Sequence, residues 1–339
     1  MNVLITGGAG YIGSHLIDVL SSAGHNCTVY DNLINGHAQA VGDAKLIVGD
    51  ISDTPSLTAA MRENDTDAVI HLAAFIEAGE SVERPEKYFR NNTLGGLALL
   101  EAMQAVGVTK MVFSSTAAVY GLPIQIEAPI AINSDWRALP ISETDHTEPI
   151  NPYGAGKLCV EFMLRAFAQA YGMGFAALRY FNVAGAHPSG RIGEAHNPET
   201  HLIPLVLQVP LGRNESVKIF GDDYDTPDGT CIRDYIHVMD LAAAHVLALE
   251  AIEPGAVKVF NLGNGEGFSV RQVIESCRSV TDHPIPADVA PRRPGDPPHL
   301  VASSRKAKDE LGWRCEYPDL NTIVTHAWGW HKTHPNGYD

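Results

Sequence analysis

Tyr153 and Lys157 are four residues apart and could together remove a proton from an alcohol. The preceding Asn151 and Pro152 predict the start of a helix, because Asn caps helices well and Pro fits the first helical position. On such a helix the two side chains share one face, with Cβ atoms about 6 Å apart. A free phenol, with a pKa near 10, is a poor base, but a nearby positive charge favours the phenolate. Tyr153 is therefore predicted to act as a general base, and the positive charge of Lys157 is predicted to lower the pKa of its phenol.

A third reactive side chain is expected from the segment Ser114-Ser115-Thr116, which ends an apolar run. The Thr116 hydroxyl can form a hydrogen bond to the reacting oxygen and relay its proton. A Tyr and a Lys at this spacing often occur by chance on a surface helix. Because Thr116 ends a nearby strand and a glycine-rich loop begins at Gly7, a catalytic role for Tyr153 and Lys157 is favoured over chance.

The stretch Gly7-Gly8-Ala9-Gly10-Tyr11-Ile12-Gly13 predicts a dinucleotide-binding loop. It follows a predicted strand and opens a predicted helix, which is the context this motif needs. The glycines allow a tight turn, and the helix start supplies unpaired N–H donors for a pyrophosphate. Asp31 ends the second strand, where a carboxylate can bind the ribose 2′-hydroxyl. Residues 32–37 contain no Arg or Lys for a 2′-phosphate, so the sequence predicts NAD and not NADP. The positive oxidised nicotinamide is expected to lower the pKa of Tyr153 further.

The first half of the chain alternates apolar runs with helical patterns. This rhythm predicts an α/β fold, a Rossmann-like doubly wound parallel sheet. After Phe181, Pro and Gly are frequent and the elements are shorter, which predicts a smaller α/β substrate-binding domain. The boundaries expected are 1–181 for the NAD-binding domain and 182–339 for the second domain, and a segment at about 232–250 is a candidate to return to the first. The predicted strands are Val3–Thr6, Asn26–Asp31, Lys45–Asp50, Ala68–Ala73 and Met111–Ser115, with helices near 14–23, 55–63 and 88–106.

The composition narrows the possible partners and compartment. Lys and Arg number 24 and Asp and Glu 40, so the net charge is −16, which argues against nucleic acid. The five cysteines are scattered without a Cys-x-x-Cys pair, which favours a cytoplasmic location and argues against a metal site. No charged leader with an apolar run precedes the first strand, and no apolar run approaches the roughly 20 residues of a membrane span.

The predicted catalytic helix is apolar on more than one side. Val160 and Leu164 lie toward Tyr153, whereas a second stripe contains Phe162 and Phe167. A helix that is apolar nearly all round is usually buried on both sides. One side can pack on the sheet and the other on a partner helix, as in a homodimer, although burial within one chain is the alternative.

Taken together, these motifs resemble the UDP-glucose 4-epimerases, a branch of the extended short-chain dehydrogenase/reductase family. The resemblance covers nearly the whole chain, and its more specific part is the C-terminal half. Matching stretches there are Leu178–His187, Ile219–Gly221, Asp228–Thr230, Arg233–Val238 and Arg292–Asp296. The resemblance implies reversible epimerisation of UDP-galactose and UDP-glucose at sugar carbon 4. In this scheme Tyr153 takes the hydroxyl proton, hydride passes to tightly held NAD, and the 4-keto sugar rotates before hydride returns. It also implies a homodimer.

The resemblance also assigns roles to individual residues. Catalysis falls to Tyr153, Lys157 and Thr116, with Lys157 holding the nicotinamide ribose. Cofactor contacts fall to Gly7, Gly10, Tyr11, Ile12, Gly13, Asp31, Asn32, Asp50, Ile51, Leu72, Ala73, Ala74, Asn92, Ser114, Tyr153, Lys157 and Tyr180. Contacts to the UDP-sugar fall to Thr116, Asn182, His201, Leu202, Lys218, Phe220, Arg233, Tyr235, Arg293, Asp296 and Leu300.

Some departures from the family pattern bear on substrate choice. Thr116 stands where many members have Ser, and Ile76 where many bacterial members have Lys. Extra residues near 124–135 precede the catalytic helix. Other UDP-sugars (N-acetylated, glucuronate or xylose) therefore stay open as substrates. A 4,6-dehydratase is rejected, because Ala117 and Ala118 replace the Asp-Glu pair of those enzymes. A non-catalytic NAD sensor is disfavoured by the retained catalytic residues.

Overall fold

A computed structural model describes residues 1–121, 140–293 and 296–339 of the chain. The extra residues near 124–135 lie outside the described residues. The strands are β1 Asn2–Thr6, β2 Asn26–Asp31, β3 Lys45–Val48, β4 Ala68–His71, β5 Lys110–Thr116, β6 Gly174–Tyr180, β7 Asn182–Ala184, β8 Val217–Phe220, β9 Ile232–Arg233, β10 Tyr235–His237, β11 Val257–Leu262, β12 Phe268–Ser269, β13 Ala287–Ala290 and β14 His299–Leu300.

Helices connect most of these strands. They are α1 Tyr11–Ser22, α2 Thr54–Glu63, α3 Ala78–Glu83, α4 Pro85–Tyr88, α5 Gly95–Val106, α6 Pro152–Tyr171, α7 Leu202–Leu207, α8 Val238–Glu250, α9 Val270–Thr281, α10 Arg305–Leu311 and α11 Leu320–Thr333. A π-helical turn, Phe89–Leu94, leads directly into α5. Two 3₁₀ turns span Ala38–Val41 and Ala117–Tyr120.

Seven parallel strands form the main sheet, in the order β11-β6-β5-β4-β1-β2-β3. Side chains of each strand alternate between two cores, as the pleat requires. In β1, Val3 and Ile5 join one core with α1, α8 and α10, whereas Leu4 joins the other core with α2, α5 and α6. This arrangement confirms the predicted Rossmann-like doubly wound fold.

The predicted strand positions agree with the structure to within two residues. β2 has the predicted bounds, Asn26–Asp31, whereas β3 and β4 each end two residues early, at Val48 and His71. The chain leaves the sheet there, and the residues that follow β4 line a cleft instead. The helical stretch predicted near 88–106 divides into α4, the π-helical turn and α5.

A smaller unit beside the sheet has a core of its own. Helices α7, α9 and α11 pack there with β8 and β10. Three small sheets surround this core: β7 with β10, β8 with β13, and β9 between β12 and β14.

The segment that returns to the main sheet is longer than the 232–250 range expected. Helix α8 packs on α1, and β11 then pairs with β6 at the sheet edge, through Val257–Leu262. Trp313, just after α10, is buried in the same core. The expected boundary at 182 therefore misassigns β11, because a strand pair between residues some 80 positions apart leaves no local sequence signal.

In the described ranges, no helix is both long and apolar enough to cross a membrane.

Candidate active site

A cleft opens at the carboxyl ends of the parallel strands, where such sheets bind ligands. Most of the residues predicted to contact a cofactor line it. These are Gly7, Gly10, Tyr11, Ile12, Gly13, Asp31, Asn32, Ile51, Leu72, Ala73, Ala74, Ser114 and Tyr180, together with the predicted reactive residues Thr116 and Tyr153 and the substrate candidates Asn182 and His201.

The glycine loop fits tightly against its neighbours. Gly7 has φ +76°, and a Cβ there would lie 2.5 Å from the Ala73 amide nitrogen. A Cβ on Gly13 would lie 2.5 Å from the Gly8 Cα. Only glycine therefore permits this turn, and the first turn of α1 faces the cleft without a side-chain cap. Uncapped helix N–H groups at the end of a tight glycine turn fit the pyrophosphate of a dinucleotide.

Asp31 is held at the second strand end by two backbone amides. Its Oδ2 accepts a hydrogen bond from Ala9 N at 3.0 Å and its Oδ1 one from Leu33 N at 2.8 Å. Burial raises the pKa of Asp31, and the two amide hydrogen bonds oppose that shift. The carboxylate has lone pairs left for a ribose hydroxyl, so the turn-forming role and the predicted binding role are compatible.

Helix α6 begins as predicted. The Asn151 side chain accepts a hydrogen bond from Gly154 N at 2.8 Å, and Pro152 occupies the first turn. This cap fixes the direction of the helix where Tyr153 enters the cleft beside Thr116. The Thr116 hydroxyl accepts a hydrogen bond from Ala118 N at 3.1 Å, which fixes its side chain at the end of β5.

Lys157 lies under the cleft floor and is 2% exposed. Its Nζ donates a hydrogen bond to the Ser114 carbonyl oxygen at 2.7 Å and lies 5.1 Å from the centre of the Phe113 ring. Burial lowers the pKa of Lys157 to about 7, because nothing compensates fully for the lost hydration of an ammonium.

The lowering of the Tyr153 pKa that the Lys157 ammonium and the nicotinamide charge of bound NAD are expected to cause together stays a prediction, and Lys157 alone does not bring it about. Burial raises the pKa of Tyr153 above its ordinary value, Glu77 adds to that shift, and a hydrogen bond with Thr116 opposes it. The sequence shows that Lys157 is near Tyr153, but it does not show that both are buried. Because the pKa of the buried Lys157 is about 7, its amine is only partly protonated near neutral pH and supplies less than a full positive charge.

Sequence reasoning missed a buried ion pair behind the catalytic helix. Arg179 of β6 donates to both carboxylate oxygens of Glu161 on α6, at 2.9 and 2.6 Å, and both side chains are at most 3% exposed. Ser115 donates to Glu161 at 2.6 Å, and Arg179 donates to Tyr120 at 2.9 Å. These bonds connect α6 to β5 and β6, which carry Thr116 and Tyr180. An acidic residue on an otherwise apolar helix face was the available signal.

Two of the predicted cofactor contacts, the buried Asn92 and the exposed Asp50, are not among the residues that line the cleft. The Asn92 side chain accepts from Phe75 N and donates to Phe75 O, both at 2.9 Å, so it holds the wall residue Phe75. Asp50 accepts hydrogen bonds from Asn32 and Ser52, and the bonds from Ser52 are the main cause of its lowered pKa.

Five further substrate candidates form a second group outside the cleft lining: Phe220, Arg233, Arg293, Asp296 and Leu300. Arg233 donates a hydrogen bond to Asp296 at 2.8 Å. Leu300 of β14 lies opposite Arg233 of the adjacent strand β9. The guanidinium carbon of Arg293 lies 4.0 Å from the centre of the Phe220 ring. Two guanidinium forks in this group suit a diphosphate.

Tyr235 does not lie in the cleft. It is 5% exposed and belongs to the core of the smaller unit, because its β10 position alternates toward α9 and α11. Leu202 packs against that same core at the start of α7. Lys218 is exposed on β8, outside the cleft lining.

A cluster of two histidines and two glutamates also borders the cleft and was not predicted. It consists of Glu194, His196, Glu199 and His201, and only His201 was expected in the site. Glu194 contacts both histidines, at 3.1 Å to His196 and 2.8 Å to His201. The histidines hold the pKa of Glu194 well below its usual range against the effect of burial. The four residues are separated by two, three and two positions in a loop, and this spacing has no helix or strand periodicity from which the cluster could have been predicted.

Comparison with known proteins places the chain in a family. The sequence model of the NAD dependent epimerase/dehydratase family matches residues 3–263. The chain belongs to that family. UDP-glucose 4-epimerase of Halalkalibacterium halodurans is 55% identical over 339 residues, which is 100% of this chain and 98% of that protein. The enzyme of the same name from Corynebacterium glutamicum is 52% identical, over 97% of this chain and 95% of that protein.

Solved structures agree with this placement. The crystal structure of UDP-glucose 4-epimerase from Bifidobacterium longum, in complex with NAD⁺ and UDP, is 39% identical. It superposes with a TM-score of 0.91 and covers 100% of both chains. The match therefore includes the smaller unit as well as the sheet, beyond the residues that the family model covers.

Proposed function

We propose that this protein catalyses the reversible epimerisation of UDP-galactose and UDP-glucose at carbon 4, with NAD bound in the cleft. The observation that carries the proposal is the placement of Tyr153 beside Thr116 in the same cleft that the glycine loop and Asp31 border. A base and a dinucleotide loop in one cleft suit alcohol oxidation and reduction. The full-length likeness to UDP-glucose 4-epimerases supports the choice of reaction and substrate pair.

The reacting hydroxyl is expected at the Tyr153 phenol. Tyr153 takes the proton from the carbon-4 hydroxyl and later returns it, while the Thr116 hydroxyl bonds to the same oxygen. Bound NAD supplies the acceptor and then the donor of hydride at carbon 4, so the reaction needs no outside oxidant. The positive nicotinamide ring also favours the Tyr153 phenolate. This contribution is needed because burial in the protein alone raises the pKa of Tyr153.

Inversion requires the 4-keto sugar to present each of its faces in turn. The cations proposed to bind the diphosphate, Arg233 and Arg293, lie outside the lining of the catalytic cleft. Anchoring the diphosphate away from Tyr153 leaves the sugar ring free to turn. His201 and Asn182 line the cleft and are proposed to contact the diphosphate and sugar.

The test is turnover of UDP-galactose by purified protein, measured as UDP-glucose formed without added NAD. Tyr153→Phe should retain bound NAD and lose about 10²–10⁴-fold in turnover, the range for a general base. The matched control is Tyr171→Phe on the same helix, where the side chain is 54% exposed and away from the cleft. Wild-type turnover by the Tyr153 variant would remove this residue from the mechanism.

Parallel reactions decide the substrate. UDP-N-acetylgalactosamine and UDP-galacturonate are offered under the same conditions. Faster conversion of UDP-galactose than of both supports the proposed pair. Conversion of only one of the others would keep the mechanism and change the substrate.

We also propose that the protein is a homodimer through α6. Phe162 on α6 is 58% exposed, and Leu94 and Phe89 on the neighbouring π-helical turn are 55% and 38% exposed. Large apolar side chains grouped in this way mark interaction surfaces. Phe162→Arg should convert the dimer to monomer in sedimentation analysis. Val289→Arg, at a position also exposed (53%) but on β13, should not. A wild-type protein that sediments as a monomer would refute the proposal.

The location proposed is the cytoplasm. All five cysteines are unpaired in the structure. Unpaired cysteines are typical of a reducing compartment.

A further inference from the structure

The cluster of Glu194, His196, Glu199 and His201 offers four ligand atoms that lie within 4.8 Å of one another. The two carboxylates are almost fully buried, with side chains 4% and 7% exposed. Three of the four residues were assigned no role by the motifs, and the catalytic mechanism does not use them.

The distances between ligand atoms suit a tetrahedral metal ion. His201 Nδ1 lies 2.8 Å from Glu194 Oε1 and 3.0 Å from Glu199 Oε1. His196 Nδ1 lies 3.1 Å from Glu194 Oε1 and 3.8 Å from Glu199 Oε2. Zinc binds His and Glu at about 2.0–2.2 Å, which makes the edge of a tetrahedron about 3.3–3.6 Å. Three of the four observed distances are shorter than this edge and one is longer, so binding of the ion would draw Glu194 and Glu199 slightly away from the two rings.

The charges of the cluster also favour a bound divalent cation. Two buried carboxylates this close repel each other and need two positive charges nearby. Two imidazolium ions supply them only while both rings stay protonated. A divalent cation supplies both charges at once and leaves each ring neutral, as a metal ligand must be.

We infer that Glu194, His196, Glu199 and His201 form a zinc site, a His₂Glu₂ set that fixes the loop between β7 and α7. Both histidines bind through Nδ1. The Nε2 atom of His201 then stays available to a ligand in the cleft, since that residue also lines it. The ion has a structural role, because four protein ligands close a tetrahedral site. Two imidazoles and two carboxylates favour zinc over magnesium or calcium, which prefer oxygen ligands alone.

The test is direct zinc binding by the full-length protein after treatment with a chelator and dialysis. We expect one zinc per chain, measured by elemental analysis and by competition with a chromophoric chelator. Glu194→Gln and His196→Asn should each weaken zinc binding by about 100-fold or more, because even outer-shell losses cost 10–100-fold. Zinc at one hundred times its dissociation constant should raise the Tm by about 4 °C.

The matched control is His146→Ala. His146 lies 3.8 Å from Glu148 in an exposed pair outside the cluster, and its loss should leave zinc binding unchanged. A readout on the wild-type protein does not depend on any variant folding. Cobalt in place of zinc should give the intense visible bands of a tetrahedral ion.

Two outcomes would overturn the inference. One is substoichiometric zinc with weak, octahedral cobalt bands. The other is zinc binding by Glu194→Gln that equals the wild type. Either would mean that the four side chains form only a hydrogen-bonded His–Glu cluster. Because zinc binding is measured without substrate, its failure would not affect the proposed epimerase activity.

Discussion

Two ion pairs in this protein have the same closest contact and very different surroundings. Glu161 and Arg179 approach to 2.6 Å with side chains 2% and 3% exposed. Glu275 and Arg278 also approach to 2.6 Å, but with 67% and 32% exposed. If burial and not distance sets the cost of breaking a pair, then equivalent substitutions at these two sites should differ greatly.

Glu161→Gln is the informative change. It keeps the shape but replaces one acceptor of an Arg179 hydrogen bond with an N–H₂ donor and leaves the guanidinium charge buried without a counter-charge. Removing one partner of a buried pair costs about 3–5 kcal/mol. At about 2.1 cal/mol/K per residue, the 339-residue chain loses roughly 4–7 °C in Tm. Glu275→Gln should cost at most about 1 kcal/mol.

The assay is thermal and urea unfolding of the three proteins at equal NAD content. The double variant Glu161→Met with Arg179→Met should recover most of the lost stability, since an apolar pair of similar size often replaces a buried ion pair. Equal destabilisation by Glu161→Gln and Glu275→Gln would refute the reasoning. So would a double variant as unstable as the sum of its single changes.

Two further predictions follow from the cleft. Burial lowers the pKa of Lys157 to about 7, so between pH 7 and 10 the unfolded chain binds the proton that the folded chain releases. The free energy of unfolding of the cofactor-free protein should therefore rise with pH in this range, by at most about 1.4 kcal/mol per pH unit. The measurement is the urea midpoint at each pH, and Lys157→Met should make its rise with pH less steep. An unchanged slope would exclude Lys157 as its source. Gly13→Ala should reduce NAD binding by more than about 10-fold, because the new Cβ would meet the Gly8 Cα at 2.5 Å. Gly24→Ala has open space around its Cβ and should retain NAD at a cost of about 1 kcal/mol from its φ of +82°; equal NAD loss in both variants would contradict the steric explanation.

The sequence was most informative where local patterns determine structure. The strand before Gly7, the glycine loop and the Asn151 cap each depend on neighbouring residues, and all were predictable. The pairing of β11 with β6 was not, because strand pairing across such a separation depends on the completed sheet.

Electrostatic properties of the site were the least predictable. The spacing of Tyr153 and Lys157 correctly placed both on one helix, but the direction of the Tyr153 pKa shift depends on burial. Likewise, Glu161 and Arg179 belong to different elements, and only the packing of α6 on β6 brings them together. The four residues of the His–Glu cluster are close in sequence, yet only the fold of the loop turns their side chains toward one centre.

The position of β11 at the edge of the main sheet affects how the chain can be synthesised and folded. Until residue 262 has left the ribosome, β6 has an open edge, with the amide and carbonyl groups that β11 will pair left unsatisfied. A chain cut after residue 181 would keep the glycine loop and Tyr153 but lack both this strand and the α8 cover of α1. We therefore expect residues 1–181 not to fold stably alone, and chaperone dependence or aggregation of nascent chains should be greatest between these two lengths.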